Sequence, residues 1–176
     1  MRRLILSFAL ATLPAPQIAL AAEPVCLTQG EVTALSTYAL PSAIGGVTRN
    51  CAASLPVGAW LPQNGAALAQ RYAGGKAQAW PAAKAAFLKM SAATNPDAAQ
   101  LFATLPDESL MPLADAALAG IVASKVKPET CPTIDRALAL LAPLPAENTA
   151  GLIALAVGLG AHAGEPRLGK FALCKA

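Results

Sequence analysis

Apolar residues recur along this chain at the three-to-four spacing of helices, and proline and glycine cut the pattern into short pieces. Thr28-Gln29-Gly30-Glu31 has the form of a capping box ahead of Val32, Leu35, Tyr38 and Leu40. Pro41 predicts a kink or break in that helix, and Gly45-Gly46 the end of its continuation. Residues 52–63, with Pro56, Gly58 and Pro62, read as an irregular connection. Asn64 is placed to cap a short helix through Leu68 and Tyr72 that Gly74-Gly75 stops. A further helix is predicted to open near Trp80-Pro81 and run through Phe87, Leu88 and Met90. Asn95-Pro96-Asp97 opens another, carrying Leu101 and Phe102. Asp107 begins a longer one, in which Pro112 fits only near the start or as a kink.

The last helices are expected at about 132–142 and 147–161, joined by a turn at Pro143 and Pro145. Leu152, Ile153, Leu155, Ala156, Val157 and Leu159 cover nearly every face of the second, which predicts a central, buried helix. That run is too short to span a bilayer. No stretch alternates in the manner of a strand. The expected fold is all-α: one compact bundle of six to eight short helices, covering residues 22–176.

Residues 1–21 stand apart. Arg2 and Arg3 precede an apolar segment from Leu4 to Leu13, and Ala19-Leu20-Ala21 offers small residues where a signal peptidase reads them. This predicts a cleaved signal peptide and a soluble periplasmic or secreted product with no integral membrane span. Without Arg2 and Arg3 the formal charge falls from +3 to +1. Charged residues make up 13% of the chain and aromatic residues 5%, too little basic or stacking surface to expect nucleic acid as a partner.

The four cysteines, Cys26, Cys51, Cys131 and Cys174, all follow the signal segment. An even number in an exported chain predicts disulfides, and neither the spacing nor the single histidine suits zinc. Pairing Cys26–Cys51 and Cys131–Cys174 is the expectation, because each bridge would then close one local helical unit.

Two stretches imitate phosphate-binding motifs. Gly164-Glu165-Pro166-Arg167-Leu168-Gly169-Lys170 has P-loop spacing, but Phe171 stands where a hydroxyl must hold magnesium. Gly158-Leu159-Gly160-Ala161-His162-Ala163 ends a helix instead of opening one. No cofactor and no metal is therefore expected. His162, the only histidine, reads as a favourable charge at a helix C-terminus. Asp115 lies well inside an Ala/Leu-rich helix, either on a solvated face or paired with Arg49, Arg71 or Lys76. Trp60, Arg71, Tyr72, Lys76 and Trp80 flank the irregular connection and the Gly74-Gly75 break, and form the candidate binding surface.

No catalytic set emerges from these residues. The expected function is a non-enzymatic binding or interaction module for an envelope partner or a small apolar ligand, as monomer or homodimer. Two alternatives stand beside it: a small hydrolase using Asp115 or His162, and a structural subunit of an envelope assembly.

Overall fold

The computed structural model describes residues 26–162 and 172–174. The signal segment and the P-loop-like stretch lie outside them, as does the side chain of His162. The capping box forms as expected. The Thr28 hydroxyl accepts from the Glu31 N–H at 3.1 Å, and the Glu31 carboxylate accepts from the Thr28 N–H at 2.7 Å. That backbone bond, with Lys89 Nζ at 3.2 Å, holds the Glu31 carboxyl below its ordinary range.

The helix it opens, α1 (Gln29–Cys51), corrects the expectation of a break. Pro41 removes one backbone hydrogen bond and its ring crowds the preceding turn, at a cost of about 3 kcal/mol. Tyr38, Leu40, Ile44 and Val47 are all buried within two turns of it. Each contributes roughly 1.5–3 kcal/mol, so packing outweighs the proline and α1 continues. Gly46 does not stop the helix either. A Cβ there would lie 3.2 Å from Val122 Cγ1, so the missing side chain is what lets the helix that carries Val122 come close.

Around α1 stand α2 (Trp60–Ala73), α3 (Lys76–Thr94), α4 (Pro96–Thr104), α5 (Asp107–Lys125), α6 (Cys131–Leu141) and α7 (Ala146–His162). One 3-10 turn covers Pro128–Thr130, and two short strands, β1 (Cys26–Leu27) and β2 (Ala172–Leu173), pair in parallel. These strands are too short to show an alternating pattern. The expected all-α bundle is observed, with seven α-helices among the described residues. Among the described residues no single helix is long and apolar enough to cross a membrane, although α5 and the segment Pro128–Leu141 pass that test together as a pair bent by 91°.

Boundaries differ from expectation where a distant residue sets them. The second helix begins at Trp60, not Asn64, whose side chain donates back to the Trp60 carbonyl instead of capping. The free N–H of Leu61 is satisfied by the Asp135 carboxylate of α6 at 2.6 Å. Helix α3 begins at Lys76 and carries Pro81 inside it. Asn95 caps α4 as expected, accepting from Ala98 N–H at 3.1 Å.

The core is divided among α1's neighbours. Leu40 and Ile44 pack with Leu68, Tyr72, Ala146 and Ala150 of α2 and α7. Tyr38 packs with Trp80, Ala83, Leu110 and Ala114 of α3 and α5. The end of α1 packs with Leu61 and with Cys131 of α6. The central helix is therefore α1, and the expectation that α7 is buried on nearly every face is corrected. It sets Ala146, Thr149, Ala150 and Ala154 inward, leaving Leu152, Leu155 and Leu159 at 49%, 51% and 73% exposed.

The disulfides are likewise corrected. They join Cys26 to Cys174 and Cys51 to Cys131, with Cα separations of 4.8 and 5.6 Å. The reason is α1 itself. It has 23 residues, so it is about 34 Å long. Cys26 lies just before its start and Cys51 at its end, far beyond the roughly 7 Å a disulfide can bridge. Cys26–Cys174 instead ties the two paired strands, and Cys51–Cys131 ties the end of α1 to the start of α6.

Close approach of α2 to α1 depends on Gly65, where a Cβ would lie 2.3 Å from Thr48 Oγ1 and 2.9 Å from Leu61 Cδ1. Gly65→Ala is expected to destabilise the protein by about 1–3 kcal/mol. Gly74→Ala meets only the Arg71 carbonyl at 3.6 Å and should leave stability nearly unchanged. Urea unfolding of both variants checks this, and equal midpoints would refute the tight crossing.

Candidate functional site

Helices α2 and α5 each pack on α1 with little contact between them. The gap is an open cleft of about 520 Å³. Pro41, Ser42, Gly45 and Arg49 of α1 form its floor. Ala66, Ala69, Gln70 and Ala73 line the α2 side, Asp115, Ala116 and Ala119 the α5 side, and Lys76 from the start of α3 stands at one end. Spacings of three and four residues place each set on one helix face. The walls are mainly alanine, which is why two helices so close to α1 still leave space between them.

One polar cluster lies in this cleft. Asp115 Oδ1 accepts from the Ser42 hydroxyl at 2.8 Å, and Lys76 Nζ reaches Oδ1 and Oδ2 at 2.5 and 2.6 Å. The Lys76 side chain is 15% exposed and that of Asp115 34%, so the ammonium is the inner partner and the carboxylate faces the opening. Lys76 Nζ also lies 4.4 Å from the centroid of the Tyr38 ring, a cation–π contact in a largely desolvated setting. The Tyr38 hydroxyl donates to the Met111 carbonyl at 3.0 Å. Burial, and then the negative charge of Asp115, push the Tyr38 phenol far above its ordinary range, so it stays neutral. Of the partners weighed for Asp115 on sequence, Lys76 is the one it takes.

Arg49 is the second cation of the cleft. It is exposed, and its side chain makes no hydrogen bond or ion pair with other described residues. Its Nη1 lies 3.5 Å from the place where Gly45 would carry a Cβ, so the side chain folds back along α1 over the glycine.

Most of the aromatic and basic surface expected on sequence is not a surface, and this is a correction. Tyr72 and Trp80 are 2% and 5% exposed. The Tyr72 hydroxyl meets the carbonyls of Leu141 and Leu144 and Thr149 Oγ1 at 3.3, 3.0 and 2.9 Å, holding α2 to the α6–α7 turn. Trp80 packs on Tyr38 with ring centroids 4.8 Å apart. Trp60 is half-buried between two parts of the core. Arg71 donates to the Ala142 carbonyl and lies 5.6 Å from the Tyr72 ring centroid. Of the five residues, Lys76 alone lines the cleft. Tyr72 sits inside because its hydroxyl finds partners there, whereas Trp80 is held by packing on Tyr38, its buried indole Nε1 making no hydrogen bond with the described residues. Ser42, Gln70 and the alanine walls carry no mark in the sequence that sets them apart. Residues 41, 45 and 49 do share a helix face, a signal visible only if α1 runs through Pro41.

Chemically, the cleft offers one hydroxyl, one neutralised ion pair, one carboxamide and one free guanidinium. A serine beside a carboxylate is half of a nucleophile–base arrangement. Here Lys76 neutralises that carboxylate, and the amides around Ser42 belong to a continuous helix instead of facing it as an oxyanion hole. Among the described residues no cluster of three His, Cys, Asp or Glu is placed to hold a metal ion. Comparison with known protein families, curated proteins and solved structures finds no match to this chain.

Removing either partner of the Lys76–Asp115 pair should have unequal effects. Asp115→Ala leaves the more buried ammonium without its counter-ion and is expected to destabilise by about 1–2 kcal/mol. Lys76→Met leaves a carboxylate that water can reach, and should destabilise less. Chemical unfolding at neutral pH measures both, and the reverse order would contradict the inner position of Lys76.

Proposed function

We propose that this chain is an exported, disulfide-locked binding module whose cleft between α2 and α5 takes a small ligand. The observation that carries the reading is the cleft itself. Its volume of about 520 Å³ lies within the roughly 300–1,000 Å³ of small-molecule sites. Alanine side chains supply apolar walls, and a few polar groups converge on them. Two disulfides fit an oxidising compartment, and the signal-like segment at residues 1–21 supports a periplasmic or secreted location. A hydrolase built on Asp115 is less favoured, because Lys76 already neutralises that carboxylate.

A second reading, an interaction module for an envelope partner, has its own support. Leu152, Leu155 and Leu159 form an exposed apolar stripe along α7, at helical spacing. The cleft remains the preferred site because it combines volume with polar groups that can orient a ligand.

A small-molecule fragment screen by amide-resolved NMR tests the preferred reading. Binding fragments should shift amides of residues 42–49, 66–73 and 115–119 together. Ala66→Trp, at an exposed cleft position, should abolish those shifts without lowering the unfolding temperature. Fragments that map only to α7, or none that bind, would reject the cleft as the ligand site.

A further inference from the structure

The charges in the cleft point to the class of ligand. Lys76 and Asp115 neutralise each other at 2.5 and 2.6 Å, and the Ser42 hydroxyl is turned toward the same carboxylate. Neither member of that pair is left with an unanswered charge. Arg49 is different: its guanidinium has no anionic partner among the described residues, so the cleft carries one uncompensated positive charge. Gly45 gives that guanidinium its seat. Nη1 lies 3.5 Å from the absent Cβ, so a side chain larger than alanine at Gly45 would displace it. The planar fork of donors matches a carboxylate in a two-point contact. In the same cleft, the alanine walls present methyl groups, which suit an alkyl chain and offer no hydrogen bond.

We infer that the cleft binds a small apolar monocarboxylate, its carboxylate on Arg49 and its alkyl portion between the alanine walls of α2 and α5. This rests on the cleft being the ligand site, and it narrows an expected small apolar ligand to one with an anionic head. The attraction is charge-assisted and lies at an exposed residue, so it is sensitive to salt. Cations are disfavoured, since the carboxylate that would hold them is already paired with Lys76.

The test uses the exported, disulfide-bonded protein and three probes with the same alkyl chain: octanoate, octanol and octyltrimethylammonium. Each is titrated in turn while the amides of residues 42–49, 66–73 and 115–119 are followed by NMR. Octanoate is expected to bind in the cleft at least about tenfold more tightly than octanol, as a charge-assisted contact provides. The ammonium probe should bind most weakly. Arg49→Gln should bring octanoate down to the level of octanol without changing octanol itself, and raised salt should do the same in the unaltered protein. Because Arg49 is exposed and unpaired, that variant keeps its fold.

Equal affinities for octanoate and octanol in the cleft would overturn the anion preference and leave the cleft standing as a ligand site. Tightest binding of the ammonium probe would overturn it by assigning the recognition to Asp115. If no probe shifts these amides, the monocarboxylate inference fails. The fragment screen then separately decides whether the cleft binds anything.

Discussion

A proline midway along a helix costs a hydrogen bond and crowds the preceding turn, about 3 kcal/mol in all. In α1 that cost falls where Tyr38, Leu40, Ile44 and Val47 are all buried against four other helices. The helix therefore stays continuous because of what packs on it, and each of those helices finds its place because α1 is continuous. Helices α2, α3, α5 and α7 all take their main contacts from it. Gly46 and Gly65 set how near two of them can come, through Val122 and Thr48. Break α1 at Pro41 and the core loses the axis that joins its parts.

The disulfides follow from the same constraint. A helix about 34 Å long holds the cysteines at its two ends apart, so each must find a partner elsewhere. Cys51 meets Cys131 in a fully buried position at one end of the bundle. At the other, Cys26 meets Cys174 beside the paired strands. The bridges enclose sequence separations of 148 and 80 residues. On chain entropy, loops of that size correspond to upper limits of about 5 and 4.5 kcal/mol. They tie the described ends of the chain to each other and the end of α1 to the start of α6.

Helix starts closed by their own short hydrogen bonds are legible in the sequence, and boundaries decided by distant packing are not. Thr28 and Glu31, or Asn95 ahead of Pro96, mark helix starts through hydrogen bonds only three residues long, and both caps form. The turn between α6 and α7 was legible within a residue or two for the same reason. Pro41, Gly45 and Gly46 were misread because a helix can be kept by tertiary burial, and a glycine can serve an approaching Val122 instead of a turn. The start of α2 was hidden because its free N–H bonds to Asp135, 74 residues away. Helix α7 misled by composition. Its inward face is alanine and threonine, so leucine content exaggerated its burial. The candidate site suffered doubly. Its walls are alanines with no polar mark, and its floor residues share a face only on an unbroken helix. Asp115 and Lys76 were visible as a possible pair, but only the fold brings α3 and α5 together to make it.

The most direct measurement is the disulfide connectivity of the oxidised protein, by mass spectrometry of peptides cut without reduction. A continuous α1 requires peptides joined through Cys51–Cys131 and through Cys26–Cys174. A peptide joined through Cys26–Cys51 would need the helix to fold back at Pro41, and would contradict both the axis of the fold and the cleft built on it.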